Sequence, residues 1–209
     1  MDDIQVQPLS AATLPAAADV MTTAFLQQEA ITTYWLGPYD PRRFEAMRTL
    51  NQKRMELSMK AGMHEVAATE NGEVVGAASL KCPHASVSLW STLRVLPGML
   101  PQLLAYLSRV NRRALQVLRA VRKPANMPGT YYTLDFIGVH PDHHGRGIAR
   151  RLLDHVHAIV DADERVEGVY LITGEDKTRS IYERFGYRVL ATHRAGGIDV
   201  YHMFRERAP

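Results

Sequence analysis

Cysteine occurs once, at Cys82, in a chain of 209 residues, so an intrachain disulfide is excluded and so are zinc sites built from four cysteines. That usage fits a reducing compartment, and the expected location is cytoplasmic. Long apolar runs are missing too. The most leucine-rich stretch, 96–121, is interrupted by Arg109, Arg112, Arg113 and Arg119 and leaves no candidate membrane span. No secretion signal is expected, because Met1-Asp2-Asp3 is acidic and no apolar segment follows it. Charge of one sign is scarce: 25 Lys and Arg against 22 Asp and Glu give a formal +3. Such an excess suits a phosphate-bearing ligand and is too weak to argue for nucleic acid. What is present is ordinary for a folded chain, with 46% hydrophobic and 22% charged residues. No repeat, low-complexity tract or linker divides the chain, so residues 1–209 read as one domain.

The alternation Ile4-Gln5-Val6-Gln7-Pro8 predicts a first strand, and Ser10 offers a helix N-cap. Helical spacing over Leu14 to Phe25 and over Pro41 to Met63, with Gly37-Pro38 between them, predicts two early helices. Asn71-Gly72 between two β-prone runs, 65–69 and 73–80, is a strong hairpin signal. From Pro101 to Arg122 the residues Leu103, Leu104, Leu107, Val110, Ala114, Val117, Leu118 and Val121 form an apolar stripe among arginines. Tyr131 to Val139 reads as a central strand, and His140-Pro141-Asp142 breaks it. Ile148, Leu152, Leu153, Val156, Ile159 and Val160 share a helical face, and Val169 to Thr173 is a short apolar strand. A helix from about Lys177 to Phe185 and two strands, 188–193 and 198–204, close the chain. This order predicts an α/β class with a central mixed sheet flanked by helices.

The chemistry concentrates after Val139. Gly145 and Gly147 stand where a helix begins, and backbone amides there lack intrahelical acceptors. Such amides, with the helix dipole behind them, bind phosphate without a lysine; Arg146, Arg150 and Arg151 add charge nearby. A Walker loop would need Gly-Lys-Ser/Thr, and here Ile148 and Ala149 follow Gly147. A dinucleotide fingerprint would need a third glycine where Arg150 stands.

What remains resembles the Gcn5-related N-acetyltransferase (GNAT) superfamily. Val139-His140-Pro141 matches its turn after the fourth strand, and His144-Gly145-Arg146-Gly147-Ile148-Ala149 matches its phosphate loop. Tyr182-Glu183-Arg184-Phe185-Gly186-Tyr187 matches its later Tyr-x-x-x-Gly-Phe/Tyr signature. The resemblance implies a GNAT-like acyl-CoA N-acyltransferase fold with acetyl-CoA as cosubstrate and no metal. Its pyrophosphate would lie on His144, Gly145, Arg146, Gly147, Ile148, Ala149 and Arg150, and its pantetheine would pair with Ile137, Gly138 and Val139. The thioester would then sit between two splayed strands. Tyr182 is implied as general acid, and the segment around 97–123 resembles a helical insertion found in some members.

His144 replaces the family's usual Gln or Arg, and Glu175-Asp176-Lys177-Thr178 stands where an Asn is common. For the base that deprotonates the amine, Asp135 is the first candidate, followed by Glu175 and His140. His140, His143 and His144 cluster but lack a recognised metal-ligand spacing. The leading expectation is an acetyltransferase acting on an amine of a small molecule, peptide or protein, with a homodimer left open. The alternative is an acyl-CoA-binding sensor or scaffold that transfers nothing. A nucleic-acid module on the arginine helix ranks last.

Overall fold

The computed structural model describes residues 4–28, 30–36, 41–85 and 112–209. Ile4–Pro8 forms strand β1, as its alternation predicts. At Ser10 the chain turns on a reciprocal pair: the Thr13 amide donates to Ser10 Oγ at 3.2 Å, and the Ser10 amide donates to Thr13 Oγ1 at 3.1 Å. This capping box leads into α1, Leu14–Gln28. Among the described residues there are three early helices rather than two, because α2, Ala30–Leu36, intervenes before α3, Pro41–Lys60. Seven residues carry too little periodicity to be read as a helix, and Ile31, Thr32 and Thr33 are β-branched, which disfavours one. Packing against α1 and against α4, Arg112–Ala120, supplies what propensity does not.

Strands β2, His64–Glu70, and β3, Glu73–Lys81, form the expected hairpin; Asn71 and Gly72 both have positive φ, 51° and 84°, as a type I′ turn demands. Residues 97–111 of the expected helical insertion lie outside the described residues. Within α4, Val117 and Ala120 are buried, but Leu118, placed on the apolar stripe from the sequence, is 59% exposed. Only one narrow edge of α4 packs on the closing hairpin, and a residue one step further round the helix misses it. The chain continues through β4, Tyr131–Val139; a single 3₁₀ turn, Pro141–His143; α5, Ile148–Asp161; β5, Gly168–Thr173; and α6, Asp176–Arg184. Strands β6, Arg188–Ala195, and β7, Ile198–Glu206, complete it.

The described strands make one seven-stranded sheet in the order β1-β2-β3-β4-β5-β7-β6, antiparallel throughout except between β4 and β5. The mixed α/β class is therefore as expected. Helix α5 covers one face with Ile148, Leu152, Leu153, Val156 and Val160, all nearly inaccessible. Truncating one of these, Leu152→Ala for instance, removes roughly 2–5 kcal/mol of stability. On the opposite face α1 and α3 bring Leu14, Ala17, Ala18, Met21 and Met55 against Ala67 and Ala77.

Strand β4 departs from regular pairing on both of its edges. The parallel pairing of β4 with β5 stops after Tyr131↔Gly168, Tyr132↔Val169 and Thr133↔Tyr170, so the strands diverge beyond Thr133. On its other edge β4 holds one residue too many: Ser79 pairs with Phe136 and Leu80 with Leu134, leaving Asp135 as a β-bulge. The bulge exchanges the faces of the strand. Tyr132 and Leu134 point into the core under α5, while Phe136 joins the α1 and α3 side against Phe25, with ring centroids 5.1 Å apart.

Candidate active site

Divergence of β4 from β5 opens a cavity of about 690 Å³. One wall is Leu134 to Val139 of β4, the other is Leu171 to Thr173 of β5; Ala24, Phe25, Ala30 and Ile31 of α1 and α2 cover it. The loop before α5 closes one end, and Glu175, Lys177, Thr178, Ile181 and Tyr182 line it from α6 and its N-cap.

At the loop end, Gly145 and Gly147 adopt left-handed φ values of 78° and 77°, which a residue with Cβ enters only at a cost. A Cβ at either would meet nothing within 4 Å, so the conformation and an unobstructed approach, not internal crowding, ask for glycine. Gly147 is the N-cap of α5, and the first bond into the helix runs from the Arg151 amide to the Gly147 carbonyl at 3.1 Å. The amides of Ile148, Ala149 and Arg150 therefore precede any intrahelical bond. His144, Gly145, Gly147, Ile148 and Ala149 line the cavity, an arrangement that suits a phosphate group.

The arginine side chains are placed otherwise than the sequence suggested. Arg146 reaches back to the nearly inaccessible carboxylate of Glu70 at the end of β2, at 2.6 and 2.7 Å, and His143 Nδ1 lies 3.1 Å from the same group. Arg150 faces Asp154 at 4.0 Å and the Phe185 ring. Neither side chain lines the cavity, so the charge at this end comes from the backbone. Glu70 was not singled out from the sequence, since an acidic residue before Asn-Gly reads as turn polarity. Its pairing with the partly exposed Arg146 clamps the loop to the sheet, and removing Arg146 would leave the Glu70 carboxylate buried with one fewer partner.

The three clustered imidazoles have separate tasks. His143 faces Glu70, His144 Nε2 lies 3.1 Å from the Val139 carbonyl, and His140 Nδ1 accepts weakly from the Asp142 amide at 3.4 Å. His144 is thus more than a neutral replacement: it closes the loop onto the last residue of β4. Among the described residues no group of three His, Cys, Asp or Glu is arranged to hold a metal ion.

At the α6 end the spacing Tyr-x-x-x-Gly-Tyr has a structural cause. The Tyr187 amide donates to the Tyr182 carbonyl at 3.1 Å and the Gly186 amide to the Glu183 carbonyl at 3.1 Å, with Gly186 at φ 86°. This is a Schellman stop, and its hydrophobic contact is the Tyr182–Tyr187 ring pair, edge to face at 5.4 Å. Tyr187 is held in turn by His157 Nε2 at 3.1 Å from its hydroxyl. Burial pushes His157 down to about 4, so it is neutral at pH 7. Burial also pushes the Tyr182 phenol well above its ordinary value, which keeps it protonated while it lines the cavity. Glu175 caps α6 and accepts from Thr178 Oγ1 at 3.2 Å.

Asp135, at the bulge, lines the cavity wall and keeps solvent access. Its carboxyl is pushed up chiefly by desolvation, while Arg54, Lys81 and Lys123 pull it back. Arg54 was missed from the sequence because α3 reads as a polar helix. Its guanidinium stacks 3.4 Å above the centroid of Phe136, and burial holds it down to about 10. Beside it Glu65, receiving a hydrogen bond from Ser79 Oγ at 2.6 Å, is pushed up to about 7 by burial. The structure thus brings Asp135, Ile137, Gly138, Val139, the 144–149 loop and Tyr182 around one cavity.

A mixed sheet that splays after its one parallel pair, with a glycine-bearing helix start at the mouth of the gap, is a GNAT-like fold. The fold comparisons agree. Over 100% of this chain and 98% of the other, the chain is similar to histone acetyltransferase HPA2 and related acetyltransferase from Corynebacterium glutamicum, with a TM-score of 0.68 and 18% identity. The ribosomal-protein-S18-alanine N-acetyltransferase of Escherichia coli gives 0.55 and 17% identity over 99% of this chain and 95% of that one. The PaiA N-acetyltransferase of Thermoplasma acidophilum, in complex with coenzyme A, gives 0.58 and 13% identity over 98% and 99%. No curated protein matches by sequence. Residues 112–189 match the model of the acetyltransferase (GNAT) domain, and the fold of the chain is the one these acetyltransferase structures share. No helix among the described residues is long and apolar enough to cross a membrane.

Proposed function

We propose that residues 1–209 form one domain that transfers an acetyl or other short acyl group from acyl-coenzyme A to an amine. The observation that carries this reading is a single cavity holding a phosphate-binding helix start at one end and a protonated, buried Tyr182 and a carboxylate at Asp135 along its walls. The coenzyme A complex of the Thermoplasma acidophilum enzyme, alike in fold, supports the choice of cosubstrate.

The pyrophosphate binds at the amides of the 144–149 loop, and the pantetheine runs along Ile137, Gly138 and Val139, whose edge toward β5 has no strand partner among the described residues. Asp135 takes a proton from the acceptor ammonium or amine, and the nitrogen attacks the thioester carbonyl directly. A backbone N–H near Val139 stabilises the developing oxyanion. As the carbon–sulfur bond breaks, Tyr182 donates its proton to the departing thiolate. Its raised pKa keeps the phenol in the donor form across the working pH range.

Thermal stabilisation of the purified protein by acetyl-coenzyme A and by coenzyme A tests the donor assignment, and a rise in melting temperature of several degrees is expected. No shift with either compound refutes it. Mass-spectrometric screening of amines with acetyl-coenzyme A then separates an enzyme, which yields an N-acetyl product, from a sensor that binds and transfers nothing.

A further inference from the structure

A second cavity of about 350 Å³ lies along the same strand, lined by Lys81, Lys123, His84, Tyr131 and Thr133 among others. Strand register ties it to the active site. Lys81 pairs directly across from Thr133, so the two side chains share a face. Asp135 follows Thr133 by two residues, about 7 Å along the strand. Lys123 arrives from the other side. Its Nζ donates to the Tyr131 hydroxyl at 3.2 Å and to Thr133 Oγ1 at 3.4 Å, over the rings of Tyr131 and Tyr170. Two lysines thus line one cavity beside Thr133, and among the described residues neither has a carboxylate within ion-pair distance. Glu167 lies beside Gly129, which lines the cavity, but does not line it itself. Both charges are felt at Asp135, the carboxyl of the first cavity. Two like charges held together beside a base repel each other and any cationic acceptor, whereas an anion between them satisfies both.

We propose that this pocket anchors the acceptor, and that the acceptor is a small amine carrying a carboxylate or phosphate group bound by Lys81 and Lys123 with its nitrogen at Asp135. The inference rests on the acyl-transfer reading above. Steady-state kinetics with acetyl-coenzyme A would compare 4-aminobutyrate and 2-aminoethyl phosphate with butylamine and 1,4-diaminobutane. At least a ten-fold higher kcat/KM is expected for the anionic amines, and the better of the two distinguishes carboxylate from phosphate. In Lys81→Met/Lys123→Met that preference falls at least ten-fold, with coenzyme A affinity measured as the control for folding. A preference for butylamine or the diamine, or an anion preference unchanged in the double variant, overturns the proposal. If no amine is acetylated although coenzyme A binds, the acyl-transfer reading fails. Calorimetric titration of 2-aminoethyl phosphate and 4-aminobutyrate into the coenzyme A complex then decides separately: binding that the double variant loses supports the anion site, and no binding to the unaltered protein sinks it.

Discussion

Gly147→Ala can be paired with Gly62→Ala to separate backbone strain from ligand contact. The two glycines have nearly the same φ, 77° and 74°, and a Cβ at either meets nothing within 4 Å. Gly62 ends the turn after α3 and does not line the active-site cavity, whereas Gly147 does. An alanine forced into the left-handed region costs about 1–2 kcal/mol. The loss of unfolded-chain freedom offsets roughly 0.4–1 kcal/mol of that, leaving about 1 kcal/mol in each variant. For a chain of this size that is a fall of about 2–4 °C in melting temperature, equal in the two variants. Binding should not be equal. At Gly147 the added methyl projects where a phosphate must approach the amides, and losing one charge-assisted hydrogen bond is worth roughly 1.5–3 kcal/mol. Calorimetric titration with coenzyme A is therefore expected to show at least ten-fold weaker binding for Gly147→Ala, about 1.4 kcal/mol, and unchanged binding for Gly62→Ala. Equal affinities in both variants would refute the assignment of the α5 start as the pyrophosphate site.

Tyr182→Phe is expected to lower kcat at least ten-fold while coenzyme A affinity changes less than two-fold; unchanged turnover, with chemistry rate-limiting, would make the phenol a packing residue. In the pH profile of kcat/KM, the rising limb set by Asp135 should lie above the ordinary carboxylate range, because desolvation dominates its surroundings. Asp135→Asn should remove that limb, and a profile identical to the unaltered enzyme's excludes Asp135 as base. His157, depressed to about 4, gives a sign for stability. The unfolded chain binds more protons than the native protein between about pH 4 and pH 6.5, so stability is lost as pH falls through that window. Partial solvent access trims the full effect at pH 5 to roughly 1 kcal/mol. Urea unfolding at pH 7 and pH 5 should show a loss that His157→Gln, which keeps a polar partner for Tyr187, largely abolishes; an equal loss in both proteins contradicts the assignment.

Much of this architecture was legible because its signals are local. Asn71-Gly72 fixes a turn type, the spacing of Ile148 to Val160 fixes which face of α5 is buried, and the glycines before α5 mark its start. Contacts between distant segments carry no such signature. The Arg146–Glu70 pair joins residues 76 apart, and nothing near Arg146 distinguishes an arginine that turns back to the sheet from one that points at a ligand. Leu118 failed for a related reason: periodicity identifies an apolar stripe, but the neighbour decides how wide a stripe is covered. Short α2 exists through its contacts with α1 and α4, so its own seven residues could not announce it.

The bulge at Asp135 shows most clearly why the site exceeds the sequence pattern. A period of two carried through β4 would put Tyr132, Leu134, Phe136 and Gly138 on one face. With one residue inserted at Asp135, Phe136 and Gly138 move to the side of α1, and Ile137 and Val139 take the core positions under α5. The exchange brings Gly138 close to α1. A Cβ at position 138 would meet Ala24 at 3.0 Å and the Met21 sulfur at 3.2 Å, so any side chain there would have to push α1 back by a few tenths of an ångström. The insertion also falls two residues after β4 loses its partner β5, so the bulged carboxylate arrives where the gap opens. A regular strand would satisfy the alternation rule and put Phe136 under α5. The departure from that rule places Phe136 beneath Arg54 and Asp135 in the wall of the cavity, so local regularity has been exchanged for an ionisable group at the point where the gap opens.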